Sequence, residues 1–263
     1  LKLAGKVVPL DGEGNPSPNG KIVLLSVGLS NTTQEYSAFM KLAEKAEGLN
    51  PKLVLVDGAQ GGQSADRTAD PNANYWRVSD RRIKAAGVTP DQVQVAWIKQ
   101  ATPGPRQPFP KEAVALQNHM VPNLHILMKK YPNLKIAYLS SRIYAGYAAS
   151  GLNPEPHAYE TAFSMKWLIG DQLSGNPELN YDPMKGPVRS PWLAWGPYLW
   201  ADGLAARNDG LTFSRDDLGD DGTHPSEKGK VKVANLLMDF LKSDQTATPW
   251  FLEEAIDEAN ISH

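Results

Sequence analysis

Four short apolar runs alternate with stretches of helical spacing along this chain. The first, Lys21-Ile22-Val23-Leu24-Leu25-Ser26-Val27, is β-branched, has strand length and breaks at Gly28. Tyr36, Phe39, Met40 and Ala43 then recur at helical spacing. Further strands are predicted over residues 52–56, 92–98 and 134–139. Helical spacing predicts helices over 75–87, 111–131, 158–173 and around Val231, Ala234, Leu237 and Leu241, with a last short helix over 249–260. Pro122 is expected to kink or split the 111–131 helix. Four strands alternating with helices predict an α/β fold with a parallel sheet covered on both faces.

The turn chemistry of Asp11-Gly12-Glu13-Gly14-Asn15-Pro16 marks residues 1–20 as a lead-in before the first strand. Residues 140–215 hold nine of the 16 tyrosines and tryptophans, and this density among prolines predicts a shaped aromatic wall over 144–215 rather than core alone. The expectation is one domain over 1–263.

Composition narrows the chemistry. A net charge of −2 without a basic tract argues against a nucleic-acid partner, and no apolar run is long enough to span a membrane. With no cysteine there is neither a thiolate metal site nor a cysteine nucleophile. No pair of histidines has a metal-ligand spacing with a carboxylate, so no metal and no cofactor is expected; His119, His125, His157 and His263 read as surface residues. The run Asp216, Asp217, Asp220, Asp221 lacks the alternation of a calcium loop and reads as solvated. Composition leaves the oligomeric state open.

Ser30 stands where the first strand turns into a helix. In a parallel sheet that turn lies at the ligand-binding edge, beside helix amides that favour negative charge. Ser30 is therefore either a nucleophile that forms an oxyanion there or, like Asn31, a helix cap. Far down the chain, Asp221-Gly222-Thr223-His224-Pro225-Ser226 sets an acid three residues before a histidine, directly ahead of the last long helix. A base within reach of a hydroxyl, oriented by a carboxylate, is what a serine nucleophile needs.

Gly28-Leu29-Ser30-Asn31 resembles the first block of the SGNH (GDSL-type) hydrolases, Asp221-Gly222-Thr223-His224-Pro225-Ser226 their last block, and Gly62, after the second strand, their second-block glycine. The resemblance covers residues 20–242. It implies a three-layer α/β/α sandwich on a flavodoxin-like parallel sheet. It also implies Ser30 as nucleophile, His224 as base, Asp221 as its orienting acid, and oxyanion donors from the Ser30 and Gly62 amides. The third-block asparagine is missing: the third strand ends Ala96-Trp97-Ile98-Lys99-Gln100, similar to the Trp-x-Gln of carbohydrate-acting relatives, which places Lys99 or Gln100 near the site. Lys99 is the expected stand-in donor. Expected substrate contacts are Asn31, Gln63, Gln100, Arg142, Tyr144 and Trp195. Arg142 either binds an acidic substrate group or forms a structural salt bridge.

These features together point to a serine esterase acting on carbohydrate-linked esters, O-acetyl groups first, in an extracellular or periplasmic setting. The alternatives are a lipase- or thioesterase-like acyl hydrolase and a non-catalytic carbohydrate-binding protein on the same fold.

Overall fold

The computed structural model describes residues 2–104 and 107–253. Five parallel strands form one sheet in the order β2-β1-β3-β4-β5, with β1 Ile22–Gly28, β2 Leu53–Asp57, β3 Val93–Lys99, β4 Ile136–Leu139 and β5 Trp192–Trp195. This is the doubly wound, flavodoxin-like order, whose switch point lies between β1 and β3. The fifth strand is additional to the predicted four. Trp-Leu-Ala-Trp is too short for its alternation to stand out, and pairing with β4 gives it strand geometry.

The period of two along each strand divides the core between the faces. Val23, Leu25 and Val27 point to one face with Ala96, Ile98, Ala137 and Leu139, whereas Ile22 and Leu24 point to the other with Val95, Trp97, Ile136 and Tyr138. Helices α3 (Asn74–Ala85), α4 (Lys111–Lys130) and α5 (His157–Leu173) cover the first face; α1 (Ser30–Ala43), α6 (Glu227–Ser243) and α7 (Thr248–Phe251) cover the second. A four-residue helix, α2 (Ala65–Thr68), sits between β2 and α3. The three layers agree with the expected sandwich.

Several expectations need correction. Helix α4 runs unbroken through Pro122. The carbonyl that Pro122 deprives of a donor belongs to Asn118, which is exposed and can be solvated instead. Of the predicted last helix, only Thr248–Phe251 is helical within the described residues, and 254–260 lie outside them, as does His263. The lead-in before β1 is docked on the sheet. Gln94 bonds Val8 N and O at 3.2 and 2.7 Å, Gln92 donates to Leu10 O, and Ala4 and Val7 join the core. Asp217 is not solvated: it is buried, with Lys232 Nζ at 2.6 Å and Ser214 N at 2.8 Å. His157 is buried at the start of α5.

Candidate active site

Strand β1 ends at Gly28 because nothing larger fits. A Cβ there would come within 2.3 Å of both Lys99 O and Thr32 Oγ1. Leu29 is the N-cap and Ser30 the first residue of α1, so the Ser30 N–H belongs to the turn that has no intrahelical acceptor. Neither Ser30 nor Asn31 caps the helix. Ser30 Oγ lies 2.7 Å from His224 Nε2, and Asn31 Nδ2 donates to Thr223 O at 2.9 Å. Asn31, expected as a substrate contact, is among the residues lining the cavity at Ser30 and also ties α1 to the histidine loop.

His224 Nδ1 is 2.5 Å from Asp221 Oδ2, while Asp221 Oδ1 accepts from the N–H groups of His224 (2.9 Å) and Thr223 (3.0 Å). Desolvation would raise the Asp221 pKa, but these hydrogen bonds, led by the imidazole's, outweigh it and hold it at about 2. Asp221 therefore stays a carboxylate at neutral pH. It fixes the tautomer that leaves Nε2 free to accept from Ser30. Asp220 makes no hydrogen bond to His224 among the described residues; its backbone carbonyl accepts from Arg215.

The loop is locked by Gly219 N–H donating to His224 O (2.7 Å), Ala149 N–H donating to Asp221 O (2.9 Å) and a bridge between Leu218 and Pro225. Gly222 has φ +65°, and a Cβ there would come 1.8 Å from Tyr147 O. Gly222→Ala must therefore push this loop and the Tyr147–Ala148 backbone apart, and the expected result is a shift of Asp221 and His224 with the loop. Strain of this kind costs about 1–3 kcal/mol, and a misplacement of about 1 Å costs on the order of 100-fold in rate. Stopped assays on the folded fraction, beside a melting curve, should show kcat falling further than stability explains.

Gly62 (φ +70°) comes to the same place from the β2 loop, its carbonyl held by Arg67 Nη1 at 2.7 Å. A Cβ on the adjacent Gly61 would lie 3.9 Å from Ser30 Cβ. Asp57 anchors this loop: its Oδ1 accepts from Ser26 Oγ (2.6 Å) and Ala59 N (3.1 Å), and Thr33 Oγ1 of α1 donates to its Oδ2. Ser30 and Gly62 line a cavity of about 170 Å³ with Arg67, Thr102, Arg142 and Asn153.

Lys99 is not in this cavity. It is 1% exposed, and its ammonium ion-pairs with both oxygens of Glu35, which is fully buried on α1. Burial pushes Lys99 down to about 8 against the pull of Glu35, and burial pushes Glu35 up against the pull of Lys99. The expectation of Lys99 as an oxyanion donor is corrected: alternation along β3 turns its side chain under α1. Gln100 is also buried, its amide donating to Gln63 O (3.2 Å) and Thr68 Oγ1 (3.3 Å), so neither Gln100 nor Gln63 lines the cavity.

Tyr144 packs on Tyr147 and Trp200 and does not line the Ser30 cavity. Trp195, at the end of β5, is 39% exposed and lines a different groove with Tyr159, Phe163 and Tyr198. β5 lies three strands from β1, on the order of 14 Å along the same sheet edge. Of residues 144–215, Leu152 and Asn153 alone border the Ser30 cavity, while Tyr159, Phe163, Trp195 and Tyr198 line the second groove.

Arg142 does line the Ser30 cavity and is 1% exposed. Burial lowers its pKa to about 10, with Glu35, Glu155 and Asp221 opposing, so it stays charged. Asn153, oriented as its neighbours require, accepts from Arg142 Nη1 (2.9 Å) and donates to Thr102 O (2.6 Å) and His157 Nε2 (3.2 Å). Sequence reasoning missed Asn153, Thr102 and Arg67. The one signal was an asparagine in a Ser-Gly-Leu-Asn-Pro loop, a type tolerant of the φ of +51° observed there. No helix among the described residues is long and apolar enough to cross a membrane.

No protein-family profile matches the sequence, and no curated protein matches it either. Among solved structures, the chain is similar to the periplasmic domain of a lipopolysaccharide acetyltransferase from Salmonella ser. Paratyphi A, at 11% identity over 84% of each chain with a TM-score of 0.44. It is also similar to a Bacteroides fragilis protein assigned as an acylhydrolase, at 14% identity over 90% of this chain and 91% of that one with a TM-score of 0.47. A gut microbial diltiazem-metabolizing enzyme is 13% identical over 87% of this chain and 48% of its own, with a TM-score of 0.44. At these values the likeness assigns no activity.

Proposed function

We propose that this chain is an SGNH-type serine esterase that works through an acyl-enzyme on small acyl esters carried by carbohydrate, O-acetyl groups first. One observation carries the reading: the unbroken chain of hydrogen bonds from Ser30 Oγ through His224 to Asp221, at the carboxyl edge of a parallel sheet beside its switch point. Ser30 Oγ attacks the ester carbonyl as His224 Nε2 takes its proton. The N–H groups of Ser30 and Gly62 receive the developing oxyanion. His224 then returns the proton to the departing alcohol, and a water, deprotonated by the same imidazole, releases the acid and regenerates Ser30.

The size of the cavity, about 170 Å³, equals on the order of five or six liquid waters. A space of this size beside Ser30 favours a small acyl group over a long acyl chain. The aromatic groove of Tyr159, Phe163, Trp195 and Tyr198 on the same edge offers ring faces on which sugars stack. A serine-directed phosphonate should label Ser30 stoichiometrically. Acetate release from acetylated xylan, pectin and mannan should exceed hydrolysis of aryl octanoate. Best activity on octanoate, with no acetate released from any glycan, would replace this reading with a lipase-like one. Glycan binding without labelling would leave a non-catalytic carbohydrate-binding protein.

A further inference from the structure

Arg142 is the one fully buried cation in the cavity wall whose hydrogen bonding is incomplete. Its backbone N–H donates to Thr161 Oγ1 at 3.0 Å and its Nη1 to Asn153, yet Nε and Nη2 have no hydrogen-bond partner among the described residues. It makes no ion pair there either, which removes the structural salt bridge as the reason for its burial. The nearby carboxylates are committed elsewhere. Glu35 holds Lys99; Glu155 accepts from the N–H groups of Ala145 and Tyr159 and from Trp200 Nε1; Asp221 holds His224. Lys99, Arg142 and Glu35 thus leave one buried positive charge in excess, which Glu155 and Asp221 attract without hydrogen-bonding the guanidinium. A buried guanidinium without a partner carries a large desolvation cost, which a bound anion would offset.

The unpartnered edge, buried in the cavity wall, specifies the anion. Nε–H and one Nη2–H lie parallel in the plane of the guanidinium, the fork that takes both oxygens of a carboxylate. Asn153 on Nη1 fixes the plane, and Thr102 O and His157 fix Asn153. Among the described residues the cavity is lined by two cations, Arg67 and Arg142, and by no acidic residue. Arg142 follows β4, two strands from β1, which sets its Cα on the order of 10 Å across the sheet edge from Ser30. That separation suits a second group on the substrate better than the single oxyanion formed at Ser30, which the Ser30 and Gly62 N–H groups already flank.

We propose that Arg142, held by Asn153, binds a carboxylate carried by the substrate, so that this site selects acidic esters. Turnover of such an ester rests on the esterase reading above, whereas capture of the carboxylate does not. The carboxylate could sit on the alcohol part, as in an acetylated uronic acid, or on the acyl part, as in a hemisuccinate.

Two matched pairs separate these sources: acetylated glucuronate against its methyl ester, and aryl hemisuccinate against aryl butyrate. In one pair the wild type should favour the carboxylate member by at least about tenfold in kcat/KM. Arg142→Gln should slow that member at least about tenfold more than its neutral partner, with Arg142→Lys between, since a lysine keeps the charge and loses the fork. Titration calorimetry of the unmodified protein with sodium glucuronate and sodium succinate, against their methyl esters, reads the site without a variant and without turnover; saturable binding of one salt and not of its ester is expected. Turnover with no preference in either pair overturns the carboxylate site alone, as does an Arg142→Gln variant that slows charged and neutral esters equally, which would assign the guanidinium to the oxyanion. Discrimination in the titration with no ester turned over keeps the site and removes the esterase reading. A titration that binds salt and ester alike, or neither, overturns it.

Discussion

Ser30→Ala removes hydrolysis of an aryl acetate almost completely, with kcat expected to fall by about 10⁵–10⁶-fold, the scale seen when the nucleophile of a Ser-His-Asp site is deleted. The size follows from interdependence. His224 and Asp221 act only by accepting and stabilising the Ser30 proton, so without Oγ their alignment at 2.7 and 2.5 Å has nothing to activate. The oxyanion donors and the cavity remain, and should retain a residual rate about 10³–10⁴-fold above water. The fold should not suffer, because Ser30 is partly exposed and makes no capping bond. Melting temperature within error of wild type, together with loss of both turnover and phosphonate labelling, is the expected result. A variant that keeps wild-type kcat would mean that chemistry happens elsewhere.

Glu35→Ala is the corresponding prediction for stability, with a loss of about 3–5 kcal/mol expected. Glu35 is fully buried on α1, and its carboxylate is the single counter-charge for Lys99 at the end of β3. Removing it strands an ammonium in the core, with the Arg142 guanidinium repelling it. Lys99→Met should cost less, because the surviving Glu35 still feels the attraction of Arg142. The double replacement Glu35→Leu/Lys99→Met should recover much of the loss, since an apolar pair of similar volume pays no desolvation. Urea midpoints of the three variants read the order directly. The same set tests the correction made for Lys99. A lysine donating to the oxyanion would lose about 10²–10³-fold in kcat on conversion to Met, whereas a lysine that only pairs with Glu35 leaves kcat of the folded protein unchanged. Equal destabilisation by all three variants would mean that the pair does not act as a unit.

What the amino-acid order determined by itself was local. β-branched runs of strand length alternating with helical spacing define a parallel α/β sheet, because side-chain period is a property of neighbouring residues. The short run 192–195 escaped that logic, since four residues carry too little periodicity, and its strand geometry comes from pairing with β4. Asp221 and His224 were legible for a similar reason: three residues apart in a loop bent by Gly222, they meet without help from the rest of the fold. The meeting of Ser30 with His224 is a different matter. They are 194 residues apart, and only the return of α6 beside α1 brings them to 2.7 Å.

Tertiary structure alone decided which polar residues face the cavity. Lys99 and Gln100 sit at the expected strand end, but alternation and burial assign them to Glu35 and to Thr68, not to a ligand. Trp195 ends the edge strand and lines a second groove, and Tyr144 packs on Tyr147 and Trp200, so neither lines the Ser30 cavity that the aromatic density was expected to wall. Arg142 could be read either way until its Nε and Nη2 were found without a hydrogen-bond partner among the described residues. Whether a buried charge has a partner depends on groups from β3, α1 and the 150s loop at once, and no local pattern carries that information.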